Sequence, residues 1–330
     1  MFLVGLELNA GLLGKQGHVA LAISHASMVF PFVLGAALAI WLYPLLSSSD
    51  VRFTAFALFL SVAMSVTAFP VLARILTDRQ LAKTELGTMA LACAATDDVT
   101  AWCLLALVVG VAQSQLASAI GVAAMTIAYI VLMFWLVRPI AGRLLARFSG
   151  DGLTTGVMAV LLASVLLSAM ATEAIGIHAI FGAFLFGAVI PHDSPVADEL
   201  VRKLEGFVTA FLLPAYFAFT GMRTEIGLVD TPTQWLICLA IIAVATLGKF
   251  GGTLAAARLT GLDWRTGASL GILMNTRGLM ELIVLNIGLD LKIISPTLFA
   301  MMVMMAIVTT IATSPILQWL IPSSVPREAH

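Results

Sequence analysis

Two adjacent carboxylates are the residues of this 330-residue sequence that most strongly suggest chemistry. Asp97 and Asp98 lie in the middle of an otherwise apolar run, residues 86–110. Two carboxylates this close cannot both be ionised cheaply in apolar surroundings, so we expect one of them to bind and release protons near neutral pH unless a cation lies beside it. Competition between a proton and a metal cation for one carboxylate is the chemistry of ion exchange. The structural alternative is a carboxylate pair that only caps a broken helix.

A lysine in a second apolar run offers a partner for one aspartate. Lys249 lies among glycines in the segment from Leu247 to Gly252, and glycines let another helix approach closely. Because neighbouring residues on a helix point about 100° apart, Asp97 and Asp98 cannot face the same partner. We therefore expect the two aspartates to differ in role and Lys249 to pair with one of them. The alternative is a lysine that reaches towards the membrane surface.

A third group of polar residues interrupts the apolar run 266–288. It contains Asn275, Arg277 and Gly278, followed by Glu281. Arg277 and Glu281 are four residues apart and therefore lie on one face of a helix. We interpret them as a structural ion pair rather than as direct ligands of a cation.

The composition indicates that lipid is the solvent for most of the surface. Hydrophobic residues make up 61% of the chain, charged residues 11%, and the mean hydropathy is +1.06. Soluble domains average about 45–50% apolar and about 25% charged residues. A net charge of −1 provides no basic surface for nucleic acid. The three cysteines lie in apolar runs without CxxC spacing, so we expect no disulfide framework, no metal site and no cofactor.

Ten apolar runs are long enough to cross a hydrocarbon core of roughly 30 Å, which takes about 20 residues. They comprise residues 19–42, 53–76, 86–110, 116–137, 152–172, 174–191, 204–221, 234–258, 266–288 and 296–321. Residues 1–8 form an apolar stump that is too short to span, and we expect it to be the end of a helix that began upstream.

Lysines and arginines predict the topology, because cytoplasmic loops carry them in excess. When loops are assigned alternately to two sides, one side receives 12 of the 17 basic residues. The other side receives Arg52, Arg223 and Lys292, and the remaining two, Lys249 and Arg277, lie within the runs. This asymmetry predicts a multi-pass protein of the cell inner membrane whose C-terminus is cytoplasmic.

The interrupted runs occupy corresponding positions in two triplets. The triplets comprise residues 19–42, 53–76 and 86–110, and residues 234–258, 266–288 and 296–321. In the middle run of the first triplet, Pro70 removes a backbone donor and frees a carbonyl. The middle run of the second triplet, residues 266–288, is also interrupted. The two middle runs are seven crossings apart and therefore run in opposite directions. We predict an all-α membrane protein with about ten complete transmembrane helices, an N-terminal stump and inverted repeats with two crossed, broken helices around a midplane site.

Five segments carry a resemblance to a known family. They are residues 2–8, 65–76, 96–102, 176–184 and 274–279. On these segments the chain resembles the Kef-type and plant cation/proton exchanger branch of the monovalent cation:proton antiporters, from about residue 2 to residue 320. Relatives begin with two or three further helices, so the chain resembles an N-terminally truncated member. Many Kef-type relatives continue into a nucleotide-binding domain that this sequence lacks, and ligand gating of that kind is not expected.

The resemblance also implies roles for individual residues. Asp98 corresponds to the second acidic position of the family pair, which is the cation and proton site. Asp97 corresponds to a position that is Asn in many relatives and that, as Asp, pairs with the lysine matching Lys249. Thr67, in the unwound middle of the first broken helix, corresponds to a position close to the cation.

The resemblance implies a division of the membrane domain into three parts. Residues 19–110 and 234–321 would form a mobile transport core, residues 116–137 a connecting helix, and residues 152–221 a scaffold that dimerises. The implied partners are H⁺, K⁺ or Na⁺, the lipid bilayer and a second copy of the chain.

We expect secondary active antiport of K⁺ or Na⁺ against protons by alternating access, with no enzymatic activity. One alternative is a cation-coupled symporter of an organic solute with a similar fold, and another is an inactive truncated fragment. An intramembrane aspartyl protease fits poorly, because Asp97 and Asp98 diverge and the sequence contains no GxGD motif.

Overall fold

The computed structural model describes residues 2–6, 17–48, 50–113, 116–148, 154–191 and 195–321. These residues form fifteen α-helices. The helices are α1 (Phe2–Leu6), α2 (Gly17–Leu46), α3 (Phe53–Ser65), α4 (Phe69–Asp78), α5 (Glu85–Gln113), α6 (Leu116–Leu132), α7 (Arg138–Phe148), α8 (Thr155–Ile175), α9 (Ala179–Val189), α10 (Pro195–Phe207), α11 (Leu213–Arg223), α12 (Pro232–Leu259), α13 (Trp264–Met274), α14 (Leu279–Asp290) and α15 (Pro296–Leu320).

The all-helical membrane fold is confirmed, and the number of spans is roughly that predicted. Within the described residues, eight helical stretches are long and apolar enough to cross a membrane, and α13 with α14, bent by 43°, would make a ninth. The predicted span 174–191 is wrong in its length, since α9 has only 11 residues and is about 16 Å long against the roughly 30 Å required.

The turn between α8 and α9 explains this difference. Gly176 adopts a left-handed conformation, with φ of 98°, and its N–H reaches the carbonyls of Thr172 and Glu173 at the end of α8. His178 then begins α9 by accepting a hydrogen bond from the Ile180 N–H through Nδ1, at 3.3 Å. The Glu173 carboxylate accepts a hydrogen bond from the first amide of α9. These contacts assign both ionisable side chains to helix capping.

Two helices each continue through one π-helical turn. Residues Met133–Val137 join α6 to α7, and residues Val208–Leu212 join α10 to α11. Both turns end two residues before a proline, Pro139 or Pro214. A proline lacks the N–H of a regular helix and its ring clashes with the carbonyl four residues earlier, so the wider turn relieves the clash.

The chain divides into two compact units, with one boundary inside α5 and another near the end of α11. One unit contains residues 1–10 and 102–221. In its described part, α1 packs so closely against α9 that a Cβ on Gly5 would clash with the Phe184 carbonyl oxygen. Tyr129 on α6 lies within hydrogen-bond distance, 2.7 Å, of Ser168 on α8.

The second unit contains residues 11–101 and 222–330, and its described part holds most of the ionisable residues singled out above. The centre of this unit is the packing of α2 against α3 and α12. A Cβ on Gly248 would lie 2.7 Å from Pro31 Cα, and a Cβ on Gly252 would lie 2.8 Å from the Ala26 carbonyl oxygen. The glycines therefore permit the close approach of α12 to α2, as small residues do between membrane helices.

Small and apolar residues close one side of this unit. Alanines of α5 pack with leucines of α4 and α13, with the start of α2 and with the end of α12. Ala90, Ala92 and Ala94 are all buried there. The short side chains bring α5 close to its neighbours and so position the following turn, which carries the two aspartates.

Candidate cation and proton site

The two broken helices meet at their interruptions. Between α3 and α4 the backbone is extended at Val66 and Ala68, and between α13 and α14 the break covers residues 275–278. The Ala68 N–H donates to the Thr276 carbonyl over 3.0 Å. Thr67 Oγ1 lies 3.2 Å from the Met274 carbonyl oxygen. These contacts hold the ends of four half-helices together at one place.

Pro70 fixes where the first break ends. It lies in the first turn of α4, where a missing N–H leaves no helical hydrogen bond unmade. In an uninterrupted helix its ring would clash with the carbonyl of Val66, four residues earlier. Val66 is instead extended, with φ of −66° and ψ of 140°.

Arg277 joins the second break to the end of α3. Its Nη1 donates to the Ala63 carbonyl over 2.9 Å, and its Nη2 donates to the Met64 carbonyl over 2.7 Å. Nη1 also lies 2.7 Å from Glu281 Oε2, and both side chains are fully buried. The guanidinium therefore neutralises the partial negative charge at the C-terminal end of α3, while Glu281 lies in the first turn of α14, where a carboxylate is favoured.

Asn275 and Gly278 delimit the second break. Asn275 is the C-terminal cap of α13, and its buried Oδ1 has no hydrogen-bond partner in the described structure. A Cβ on Gly278 would lie 2.7 Å from Val71 Cγ2 of α4. Glycine at 278 therefore permits the close contact of the two broken helices.

Asp97 is the centre of a buried hydrogen-bond network. Ser24 Oγ donates to its Oδ1 over 2.5 Å, and Lys249 Nζ lies 2.9 Å from its Oδ2. Ser27 Oγ and Thr67 Oγ1 lie 2.9 Å and 2.8 Å from the same Oδ2. All five side chains are fully buried. A buried carboxylate with an ammonium group and three hydroxyl groups around it is well compensated as an anion.

Lys249 is compensated in the same network. Its Nζ lies 2.6 Å from Thr67 Oγ1 and 3.4 Å from Ser27 Oγ, in addition to the contact with Asp97. The structure thus brings Lys249 together with Asp97 and not with Asp98. The interpretation of Lys249 as a lysine that reaches the membrane surface is wrong for this structure, because its side chain is fully buried.

Asp98 differs sharply from its neighbour. Its side chain is fully buried, and among the residues that the structure describes neither carboxylate oxygen has a hydrogen-bond partner. Helix α5 continues without a break from Glu85 to Gln113. The alternative in which the aspartates cap a broken helix is therefore wrong, and no helix-end amide of the described residues compensates Asp98. This arrangement can hold a proton or a cation.

Sequence reasoning missed two residues of the network, Ser24 and Ser27 on α2. A serine in an apolar helix is unremarkable, since its hydroxyl can bond to the helix backbone. The signal that could have found them is their spacing of three residues, which places both hydroxyls on one face of α2.

Comparison with known proteins provides an independent assignment. The family model described as "Sodium/hydrogen exchanger, transmembrane" matches residues 1–321. The Na⁺/H⁺ antiporter NhaS4 of Synechocystis sp. is 45% identical over 326 residues, which are 98% of this chain and 80% of that protein. Cation/H⁺ antiporter 15 of Arabidopsis thaliana is 40% identical over 96% of this chain and 38% of its own length. The K⁺/H⁺ antiporter 1 of Saccharomyces cerevisiae is 35% identical, over 98% of this chain and 38% of its own length.

A solved structure has the same fold. The sodium proton antiporter MjNhaP1 of Methanocaldococcus jannaschii superposes with a TM-score of 0.66 at 15% identity, and the match covers 96% of this chain and 81% of that one. This chain spans most of the length of the cyanobacterial and archaeal proteins but about two fifths of the plant and yeast proteins. With a family model that matches nearly its whole length, the chain belongs to the sodium/hydrogen exchanger transmembrane family.

Proposed function

We propose that this chain exchanges a monovalent cation, K⁺ or Na⁺, for protons across a membrane, and that Asp98 is the carboxylate for which the two ions compete. The contrast between neighbouring aspartates carries this proposal. Asp97 has four compensating groups around it, whereas the buried oxygens of Asp98 have no hydrogen-bond partner among the described residues. A buried carboxylate that receives no hydrogen bond is charged only when a cation compensates it, and otherwise it is neutralised by a proton. Asp98 therefore suits alternate occupation by a proton and a cation.

Exchange at one carboxylate couples the two ions without further chemistry. When the cation binds Asp98, the proton leaves to the side that the site faces, and the cation is carried across. A proton from the second side then displaces the cation, and the protonated site returns. Each half of the cycle keeps the buried carboxylate neutralised, so neither half moves an uncompensated charge through lipid.

Asp97, Lys249 and Thr67 adjust the site to its occupant. Without a cation, the ammonium group of Lys249 balances Asp97. A cation at Asp98 repels Lys249, and the ion pair then opens. The Thr67 hydroxyl, which contacts both members of the pair, is released by that opening and completes the coordination of the cation together with nearby backbone carbonyls.

The residues of the two breaks hold the half-helices in place and do not bind the transported ion. In this group Arg277 and Glu281 neutralise each other, and Arg277 also neutralises the end of α3. The full group consists of Pro70, Asn275, Arg277, Gly278 and Glu281.

The larger assembly follows from the same proposal. Residues 19–110 and 234–321 form the mobile transport core, residues 116–137 connect it, and residues 152–221 form the scaffold. We place the protein in the cell inner membrane with its C-terminus in the cytoplasm, as a transporter rather than an enzyme. Its partners are the transported ions, the surrounding lipid and a second copy of the chain. The relatives named as Na⁺/H⁺ and K⁺/H⁺ antiporters support both cations as substrates.

Reconstituted transport tests the proposal. The purified chain is placed in liposomes that contain a pH-sensitive dye, an acid-inside gradient is imposed, and Na⁺ or K⁺ is added outside. We expect dye dequenching with the wild type, loss of the response with Asp98→Asn, and an unchanged response with Asp78→Asn, the same substitution at an exposed carboxylate. Cation-dependent dequenching by Asp98→Asn at the wild-type rate would contradict the assignment.

A further inference from the structure

The hydroxyls of Ser24 and Ser27 on α2 both bond to the carboxylate of Asp97 on α5. Ser24 Oγ lies 2.5 Å from Asp97 Oδ1 on α5 and donates its proton across the helix boundary. Several other buried hydroxyls of the same unit bond to their own helix, as Ser61 does with the Ala57 carbonyl at 2.7 Å. Bonding to the own backbone is the common outcome for serine in a helix. The interhelical bond of Ser24 therefore indicates that Asp97 is a strong acceptor at this position.

Ser27 supports the second oxygen of the same carboxylate. Its Oγ lies 2.9 Å from Asp97 Oδ2 and 2.8 Å from the Ser24 carbonyl oxygen, so its single proton is shared between two acceptors. It also lies 3.4 Å from Lys249 Nζ, from which it accepts. Ser27 thus contacts both members of the buried ion pair, as Thr67 does from the break between α3 and α4.

We propose that Ser24 and Ser27 are positioning residues that hold Asp97 as the permanent anion of the site and so reserve Asp98 for ion exchange. This inference rests on the proposed function. The two aspartates are chain neighbours in one helix and are both fully buried, yet among the described residues hydroxyl donors reach Asp97 and not Asp98. When a cation repels Lys249, these donors remain on Asp97. They keep its charge compensated while the ion pair opens.

The charged groups around Asp97 are few in the described structure. Asp98 lies on the same helix, Lys249 faces Asp97 from α12, and the second broken helix carries the Arg277 and Glu281 pair. His25, between the two serines, is exposed and its Nδ1 lies 2.8 Å from its own helix carbonyl at residue 21. Replacing the serines by alanine leaves every one of these charges in place, so its effect reports on the hydroxyls.

The test separates cation affinity from turnover. In proteoliposomes, the double variant Ser24→Ala/Ser27→Ala should have a KM for Na⁺ or K⁺ about tenfold higher than the wild type, because losing a hydrogen bond to a charged group has an effect of this size. Its kcat should change by less than about twofold. Opening of the ion pair becomes costlier when Lys249 is the main remaining donor to Asp97. Ser61→Ala removes a buried hydroxyl whose partner, in the part of the chain that the structure describes, is a carbonyl of its own helix, and it should leave KM unchanged. A wild-type KM in the double variant would overturn the inference.

A second measurement does not need transport activity. The same serine changes are made in the wild type and in an Asp97→Asn background, and the thermal midpoint of each purified protein is measured. If the hydroxyls act on the Asp97 charge, the serine changes should lower the midpoint of the wild type and have less than half that effect in the Asp97→Asn background. Equal effects in both backgrounds would show a packing role and overturn the inference.

The two proposals fail in different ways. A wild-type chain that shows no cation-dependent proton flux contradicts the proposed function and leaves the thermal comparison to decide the role of the serines. A wild-type chain that exchanges ions, with Asp98→Asn inactive and the serine variant at wild-type KM, contradicts only the role of Ser24 and Ser27.

Discussion

Replacement of Arg277 by methionine tests how the two broken helices are held together. The change removes the hydrogen bonds to the Ala63 and Met64 carbonyls, at 2.9 Å and 2.7 Å, and the 2.7 Å contact with Glu281. Removing one partner of a buried ion pair costs about 3–5 kcal/mol, because the other charge is left buried. Each lost bond from a charged donor costs about 1.5–3 kcal/mol in addition, although such costs do not add fully. We expect Arg277→Met to lower the free energy of unfolding by at least about 3 kcal/mol.

A second substitution separates the two contributions. Replacing Glu281 by leucine in the Arg277→Met background removes the uncompensated charge and leaves only the two carbonyls without their donor. The double variant should therefore regain on the order of 2 kcal/mol relative to Arg277→Met alone. This reversal is expected only if the buried carboxylate of Glu281 depends on Arg277.

The chain contains a matched control on its surface. Arg74 and Asp78 are also four residues apart and paired, at 3.0 Å, but their side chains are 79% and 56% exposed. An exposed pair contributes about 0–1 kcal/mol, so Arg74→Met should be nearly silent. All variants are compared by equilibrium unfolding in mixed micelles of dodecyl sulfate, followed by circular dichroism. An Arg277→Met variant as stable as Arg74→Met, or a double variant less stable than the single one, would refute this reasoning.

Two further predictions concern helix packing and capping. Gly252→Ala places a Cβ 2.8 Å from the Ala26 carbonyl oxygen and should lower the free energy of unfolding by about 1–3 kcal/mol. A Cβ at Gly251 meets no atom within 4 Å, so Gly251→Ala should be tolerated. The thermal midpoints of the two purified variants measure the difference. Asp263 caps α13, and its hydrogen bonds with Thr266 hold the pKa of its carboxyl below the usual value. The capping interaction therefore stabilises the fold fully above the pKa that Asp263 has in the unfolded chain, and this stabilisation is lost as pH falls through the lower folded pKa. Asp263→Ala should lower the thermal midpoint at pH 7 and not in strong acid. An equal loss at both pH values would contradict this.

The broken helices were predictable because their signals are local. Pro70 and the segment from Asn275 to Gly278 interrupt apolar runs, and the structure has breaks at both places. The contacts between the breaks were not predictable. Arg277 has a nearby acidic partner at i+4, and nothing in the sequence indicates that its guanidinium also reaches Ala63 and Met64, more than 200 residues away.

The ionisable residues of the site could be found because a charge within an apolar run is costly. Asp97, Asp98 and Lys249 stand out for that reason. Ser24 and Ser27 do not, since a hydroxyl in a membrane helix is satisfied by its own backbone and its presence costs little. Which aspartate contacts Lys249 depends on the rotation of α5 against α12, and hydropathy carries no information on that rotation.

The length of one predicted helix was overestimated for a related reason. Hydropathy measures the length of an apolar run but does not show where a helix ends within it. The run 174–191 begins with a left-handed glycine, Gly176, and a capping histidine, His178, so only 11 of its residues form α9. Turn chemistry inside an apolar run therefore decides how long its helix is.

Proton release on cation binding tests the central claim most directly. Purified protein in weakly buffered detergent solution is mixed with Na⁺ or K⁺, and the released protons are measured with a pH indicator. Competition for one carboxylate predicts that the wild type releases protons as the cation binds, with a half-saturating cation concentration that rises as pH falls, and that Asp98→Asn releases none. Cation binding without proton release by the wild type, or unchanged release by Asp98→Asn, would contradict the account.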